Sequence, residues 1–482
     1  MEDKAGARIS AKAFTQSLII LFILMLLAGA LTLLLPAGAF ERQMLDGREV
    51  IVPDSYQTIP KPDYPIWRWL TAPIEVLGSD MGLNVIVILI VLFFAGGAFA
   101  VLDKTGTLKA FIALIVKRFS HSRTQLLWMV SLGFMLMGAT LGTFEEVVLL
   151  IPVMMALSYS LGWDALVGLG MSILATNMGF SAALTNPFTL GVAQNLAGLP
   201  AGSGLWFRFI IFVAVYLVFM WFLGGYARKI EREPADSLVF GLDLDEREKY
   251  RALELNTLNV DLKQRSALIF FGVFIALIFL SMVFVPQIPA LADYSLPIVG
   301  LLFLIGGIGA GMISGAGGKV VRRGLIEGIT GLLPSIPLIL MAASIRYIID
   351  SGGVTDTILN LASTPFQDLG SFAASMAVYF LALFLEFFIA SGSAKAFLII
   401  PIVMPLADLV GVTRQTAVLA YIFGDGFSNL AYPTNPVLLI SLGLTVVSYP
   451  VWLRWTAKLW LAIFAVTALF LAIATAIQLG PF

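Results

Sequence analysis

Nine apolar runs, each long enough to cross about 30 Å of hydrocarbon as a helix of roughly 20 residues, punctuate the chain. They cover 17–36, 82–102, 165–197, 205–226, 266–286, 296–313, 333–350, 415–446 and 451–479. The expected fold is therefore an all-α polytopic membrane protein. Charge agrees: charged residues make up 12% of the 482 residues, about half the roughly 25% of a soluble domain. So little charge could not clothe a water-facing surface, which excludes a soluble enzyme, a nucleic-acid binder and a disordered scaffold. Cys is absent and His121 is the only histidine, which reads as a solvated surface residue. Disulfides, thiolate nucleophiles, Cys/His metal sites and His-dependent catalytic dyads are thereby disfavoured.

Two further apolar stretches have a different form. Residues 125–162 and 371–411 are each a pair of helical arms around a small, polar tip, Gly138-Ala-Thr-Leu-Gly-Thr-Phe-Glu-Glu146 and Ser391-Gly-Ser-Ala-Lys395. They read as re-entrant hairpins. The first apolar run is a span rather than a signal peptide, because no small-residue cleavage site follows it. With a cytoplasmic N-terminus, 21 of the 29 Lys and Arg fall on the cytoplasmic side, which fixes orientation by the positive-inside rule. That topology puts the C-terminus outside.

Sliding the second half over the first by 249 positions aligns Ile151-Pro152 with Ile400-Pro401, Gly162 with Gly411, and Thr185-Asn-Pro187 with Thr434-Asn-Pro436. A shift of 247 pairs Gly179-Phe-Ser181 with Gly426-Phe-Ser428, and Asp103 with Asp350. The expected organisation is a duplicated unit, 1–227 and 289–482. Between the copies lie a charged cytoplasmic linker, 228–265, read mainly as a plain solvated connector with a regulatory docking segment as the alternative, and a connecting helix, 266–288. That unpaired helix flips the second copy upside down. Inverted repeats with interrupted helices at mid-depth are an architecture of alternating-access secondary transporters. The amphipathic stretches 65–77 and 317–332 read as interfacial braces, and 104–123 similarly.

The runs 165–197 and 415–446 exceed one crossing, and each is interrupted at its middle. The interruptions are Ala175-Thr-Asn-Met-Gly-Phe-Ser-Ala-Ala-Leu-Thr-Asn-Pro187 and Gly424-Asp-Gly-Phe-Ser-Asn-Leu-Ala-Tyr-Pro-Thr-Asn-Pro436. Proline removes a donor, so the helix should unwind and expose carbonyls and amides. Such oxygens suit a hard cation, and half-helix N-termini suit a carboxylate. Acids inside the bilayer sharpen the expectation, since each costs about 2.5 to 3.5 kcal/mol if it faces lipid. Neighbours on a helix point about 100° apart, so Glu145 and Glu146 serve different partners. The candidate substrate contacts are Thr143, Glu146, Asn177, Asn186, Ser391, Ser393, Lys395, Asn429 and Asn435. Candidates for cation or proton coupling are Glu145, Glu146, Thr176, Asn177, Thr185, Glu386, Asp425, Ser428 and Thr434, with a sodium site at the first tip and first broken helix. Lys395, aligned with Glu146, has three readings: it neutralises a substrate carboxylate, replaces a second cation with a tethered ammonium, or pairs with Glu386 or Asp425. Arg346 and Asp350, four residues apart, read as an ion pair reaching the outer interface.

Four segments carry a family resemblance: Gly142-Thr-Phe-Glu-Glu146, Thr185-Asn-Pro-Phe-Thr-Leu-Gly-Val-Ala-Gln194, Ser391-Gly-Ser-Ala-Lys-Ala-Phe-Leu-Ile-Ile-Pro-Ile-Val-Met-Pro405 and Gly424-Asp-Gly-Phe-Ser-Asn429. They resemble the YfcC-like branch of the four-carbon dicarboxylate anaerobic carrier family, in the ion transporter superfamily. The resemblance implies a homodimer in the inner membrane whose transport domain, two hairpins and two broken helices, moves as an elevator. It implies no cofactor beyond a coupling sodium ion or proton, and no nucleic-acid partner. The expected function is cation-coupled transport of a small carboxylate-bearing solute such as a dicarboxylate, another organic acid or an amino acid. Arginine/ornithine-type exchange is one rival. A membrane-embedded hydrolase using the paired carboxylates is the other, against which stand the missing Cys, the lone His and the lack of a metal-spaced acid cluster.

Overall fold

The computed structural model describes residues 11–480 except 46–47, 53–54, 109, 112–113, 115–121, 143, 201, 246, 248–260, 286–287, 289–290, 292–293, 334 and 364–368. His121, Thr143 and, within the charged linker, residues 246 and 248–260 lie outside the described residues. Among those described the chain is mostly helical, as its apolar runs dictate. In order the helices are α1 (Ala11–Leu34), α2 (Arg68–Glu75), α3 (Gly82–Lys104), α4 (Arg123–Leu141), α5 (Ile151–Ser160), α6 (Ala165–Ser181), α7 (Val192–Leu196), α8 (Leu205–Arg232) and α9 (Leu262–Phe284). There follow α10 (Ser295–Ile313), α11 (Gly318–Gly331), α12 (Ser335–Ser351), α13 (Thr355–Ser363), α14 (Ser371–Glu386), α15 (Gly392–Leu409), α16 (Arg414–Ser428), α17 (Pro436–Gly443) and α18 (Tyr449–Ala476). By length and composition alone, four stretches of the described residues suffice to cross a membrane: Val85–Lys104, Arg123–Leu141, Leu205–Arg232 and Tyr449–Ala476.

One departure from an all-helical reading lies between α1 and α2. Two short antiparallel ribbons form there, β1 (Gly38–Ala39) with β4 (Gln57–Thr58), and β2 (Arg42–Leu45) with β3 (Arg48–Ile51), in register Arg42↔Ile51. A loop of this length outside the apolar runs must still satisfy its backbone groups, and ladder pairing does so. Asp356 of α13 anchors the ribbons: its carboxylate accepts two bonds from Arg42 Nη2, at 2.9 and 2.8 Å, and one from the Phe40 amide at 2.9 Å.

The helices sort into two packed groups. In one, α3 lies against α10 and α11, α10 against α9, and α1 against α12, which also meets α2. In the other, α4 packs on α6, α14 on α16, and α6 on α16, with α8 and α18 alongside. Close helix approach within the second group rests on glycine. A Cβ on Gly426 of α16 would lie 2.6 Å from Ser181 Cα in α6, and a Cβ on Gly138 of α4 would overlap the carbonyl oxygen of Thr176.

Both hairpins are closed at their bases. Arg123 Nη1 donates to the Leu161 carbonyl at 2.9 Å, and Ser371 Oγ donates to the Val410 carbonyl at 2.8 Å. Each base then turns through a left-handed glycine, Gly162 (φ 88°) and Gly411 (φ 72°), a conformation that a Cβ would strain. The next helix in each case starts from a side-chain cap, Asp164 accepting from the Val167 amide and Thr413 accepting from the Thr416 amide. Leu161 and Val410, Gly162 and Gly411, and Asp164 and Thr413 stand 249 positions apart.

Candidate functional site

The first interruption is narrower than the sequence suggests. Residues 175–181 remain helical and only 182–186 leave the helix, because Pro187 forbids helical geometry just ahead of it. The amides freed there converge on one acceptor: Leu184, Thr185 and Asn186 donate to the Ala139 carbonyl of α4 at 2.9, 3.1 and 3.1 Å. Thr185 Oγ1 also donates to the Thr140 carbonyl. Asn186 then starts the next turn, its Oδ1 accepting from the Thr189 amide at 3.3 Å. The second interruption spans 429–435 and ends alike, with Asn435 Oδ1 accepting from the Val437 amide at 2.9 Å.

Between the two hairpin tips and these interruptions lies a cavity of about 370 Å³, lined also by Met81 and Val85 at the start of α3 and by Ala342, Ala343 and Arg346 of α12. Six of the residues singled out from sequence line it: Glu145, Ser391, Ser393, Asn429, Thr434 and Asn435. Phe144 and Phe180, ring centroids 5.6 Å apart, add an aromatic wall. Arg346 is the lining residue that sequence reasoning set aside. Its pairing with Asp350 is present, but through Nε alone at 3.3 Å, and its side chain remains 34% exposed at the cavity. The i,i+4 spacing revealed the pair and could not reveal the cavity beside it.

Behind the second tip sits a buried ionic cluster. Lys395, wholly buried, places Nζ against Glu386 Oε2 and 2.9 Å from Asp425 Oδ1. Of the three readings of Lys395, this conformation contains the pairing with both membrane acids, and the ammonium does not reach the cavity lining. Asn435 connects cluster and cavity, its Nδ2 donating to Asn429 Oδ1 at 3.2 Å and to Glu386 Oε1 at 3.5 Å. Tyr421 OH donates to the Gly392 carbonyl of the tip.

The remaining candidates lie off the cavity lining. Thr176 Oγ1 donates to the Ser172 carbonyl and Ser428 Oγ to the Gly424 carbonyl, both local helix bonds. Thr185 and Asn186 hold the first interruption together as described. Asn177 is fully buried, and neither its Nδ2 nor its Oδ1 has a hydrogen-bond partner among the described residues. The side chain of Glu146 is outside the described residues.

Part of the linker is no plain connector. Asp243 and Arg247 are buried, with Arg247 Nε 3.0 Å from Asp243 Oδ1 and Nη2 3.8 Å from Asp164 Oδ2. Asp164 also accepts from Tyr226 OH at 2.6 Å and Ser237 Oγ at 2.7 Å, while Asp243 Oδ2 accepts from the Ala165 amide. The linker thus grips the cap of α6. Burial raises the Asp243 carboxyl to about 6, against the opposing pull of Arg247, and burial likewise raises Asp164. A carboxyl raised in the docked form favours docking fully below the ordinary aspartate range, and that contribution is lost as pH rises through about 6. Amide exchange over 234–245 should therefore speed up between pH 5 and 7 by about tenfold beyond its intrinsic pH dependence. Asp243→Asn should abolish the excess; an unchanged profile would refute the coupling.

Residues 14–476 match the family described as DcuC, C4-dicarboxylate anaerobic carrier. The chain is 30% identical to a proposed basic amino acid antiporter, YfcC of Escherichia coli (strain K12), over 93% of each chain. It is 26% identical to an uncharacterised protein of Haemophilus influenzae (strain ATCC 51907 / DSM 11121 / KW20 / Rd), covering 84% of this chain and 78% of that one. Two solved transporters overlay loosely. The YdaH transporter of Alcanivorax borkumensis has a TM-score of 0.43 at 17% identity, covering 97% of this chain and 99% of that one. MtrF of Neisseria gonorrhoeae, of a class of antimetabolite efflux pumps, has a TM-score of 0.43 at 20% identity, covering 95% and 94%. The family match over nearly the whole length, with the full-length relative, makes this chain a member of the C4-dicarboxylate anaerobic carrier family of membrane transporters and not an enzyme.

Proposed function

We propose that the protein is a secondary active transporter that moves a small carboxylate-bearing solute through the cavity between the two hairpin tips, coupled to sodium or protons. The carrying observation is the cavity itself, where polar side chains from both interrupted elements and both tips converge with Arg346. An arginine offers paired N–H donors suited to a carboxylate, and Ser391, Ser393, Asn429 and Asn435 supply neutral polar contacts. On this reading a sodium ion at the first tip and first interrupted helix would be bound by the unmet Oδ1 of Asn177, with Glu145, Glu146, Thr176 and Thr185 as the other candidate ligands. The hairpins, interrupted helices and α8 with α18 form the moving body of an elevator in a homodimer; α1–α3 and α9–α13 form its scaffold. The equivalent base turns and caps 249 positions apart support a repeated unit; inverted copies, nine spans, an inner-membrane location, a cytoplasmic N-terminus and an outer C-terminus complete the proposal.

A second reading, exchange of basic amino acids, is favoured by Glu145 on the cavity wall and by the function proposed for the E. coli relative. One screen addresses both. The purified protein is heated in the presence of succinate, fumarate, acetate, arginine, ornithine or glutamate, with sodium or choline. A true ligand at 100 times its Kd adds about 2.7 kcal/mol to apparent stability. A Tm rise with the acids that depends on sodium or pH supports coupled carboxylate transport, and one confined to arginine and ornithine supports exchange. No shift with any of the six would sink both.

A further inference from the structure

The cluster behind the second tip has an unequal charge count. Glu386 ends α14, Lys395 lies in the first turn of α15 and Asp425 is in α16, and all three are at most 1% exposed. One ammonium faces two carboxyl groups. The ionisable groups facing them from the packed elements are the phenols Tyr421 and Tyr432. Among the described residues no second Lys or Arg pairs with the cluster. A net charge left inside a protein within the bilayer costs several kcal/mol, so the count needs one more positive charge.

A metal ion is poorly placed to supply it. The space between the carboxyl groups already holds Nζ, and a hard cation requires a shell of oxygens around itself. A proton has a place. Asp425 Oδ2 is buried with no hydrogen-bond partner among the described residues, and it faces the tip backbone so closely that a Cβ on Gly392 would lie 2.7 Å from it. We infer that Lys395 is a resident counter-cation standing where a second metal ion would otherwise bind, and that Glu386 and Asp425 share one exchangeable proton. Its meaning for coupling rests on the transport reading above: the second tip, one layer from the cavity, answers to protons, and any sodium acts at the first tip. Gly392 and Asn435 belong to both cavity and cluster, so a shift of the tip when solute arrives alters the surroundings of the shared proton.

Infrared spectroscopy of the purified full-length protein tests this without knowledge of the solute. The reading is the C=O stretch of a protonated carboxylic acid at pH 7, compared between wild type, Glu386→Gln, Asp425→Asn and Lys395→Met, each checked for monodisperse elution. With one shared proton, either amide variant leaves a neutral ammonium–carboxylate pair, so each alone removes the same band. Lys395→Met leaves both acids protonated, so the band grows from one acid to two. Replacing choline by sodium leaves the wild-type band unchanged. A band retained in either folded amide variant overturns the proposal, as does loss of the wild-type band with proton release on adding sodium. Either amide variant suffices if the other fails to fold. Such a failure leaves the Tm screen standing, and a failed screen leaves the band assignment standing.

Discussion

Lys395→Met should cost about 3 to 5 kcal/mol of stability at neutral pH, the range for removing one partner of a buried ion pair. The cause is local: Glu386 and Asp425, both buried, would lose the ammonium that each now faces. Adding Glu386→Gln and Asp425→Asn to the same chain should return most of the loss, because no buried carboxyl group then has to take up a second proton at neutral pH. Tryptophan fluorescence during denaturation of wild type, Lys395→Met, the triple variant and a Lys319→Met control reads this directly. A loss no larger for Lys395→Met than for a surface lysine such as Lys319 would refute a buried, paired Lys395.

Gly179→Val should be comparably damaging through sterics alone. A Cβ at Gly179 overlaps the carbonyl oxygen of Met135 in α4, so α4 and α6 would have to separate along their contact. Overpacking costs about 1 to 3 kcal/mol and occasionally more, and a clash with backbone leaves no side chain to give way, which sets the expectation at the upper end, about 3 kcal/mol. Gly225→Ala in α8 is the control, since nothing lies within 4 Å of the added atom. Equal stability for Gly179→Val and the control would mean that α4 and α6 do not pack as described. The variant should also disturb the first tip, because the Ala139 carbonyl that collects three amides is one helical turn from Met135.

Much of this was legible in the chain, for reasons that can be traced. Pro187 and Pro436, each behind an asparagine, announced helix interruptions because they remove a donor and restrict the preceding residue. Acids and a lysine within apolar runs announced an interior polar cluster because lipid would not tolerate them. What stayed hidden depends on distance in space. Asn177 and Asn429 are both amides in interrupted helices, yet only Asn429 reaches the cavity; helix rotation decides that, and the sequence alone did not settle it. Arg346 looked fully explained by Asp350, four residues away. The burial of Asp243 and Arg247 was invisible in a segment dense with charge, because the groups they meet, the Ala165 amide and the Asp164 carboxylate, lie 78 and 83 residues earlier in the chain. The ribbons of 38–58 were missed because their strands are only two to four residues long, too short for alternation to register.

The pairing of Glu386 with Lys395 also bears on how the protein is made. The two residues emerge from the ribosome nine positions apart, within one hairpin. An acid or base at the centre of a helix costs about 2.5 to 3.5 kcal/mol during insertion, but an acid and a base close enough to neutralise one another can be integrated as a single neutral unit. Asp425 is synthesised later and meets a hairpin that already carries its countercharge. Integration of the second half therefore need never expose a lone base to lipid, and a nascent chain stopped between Leu409 and Arg414 should already hold its second hairpin in the bilayer.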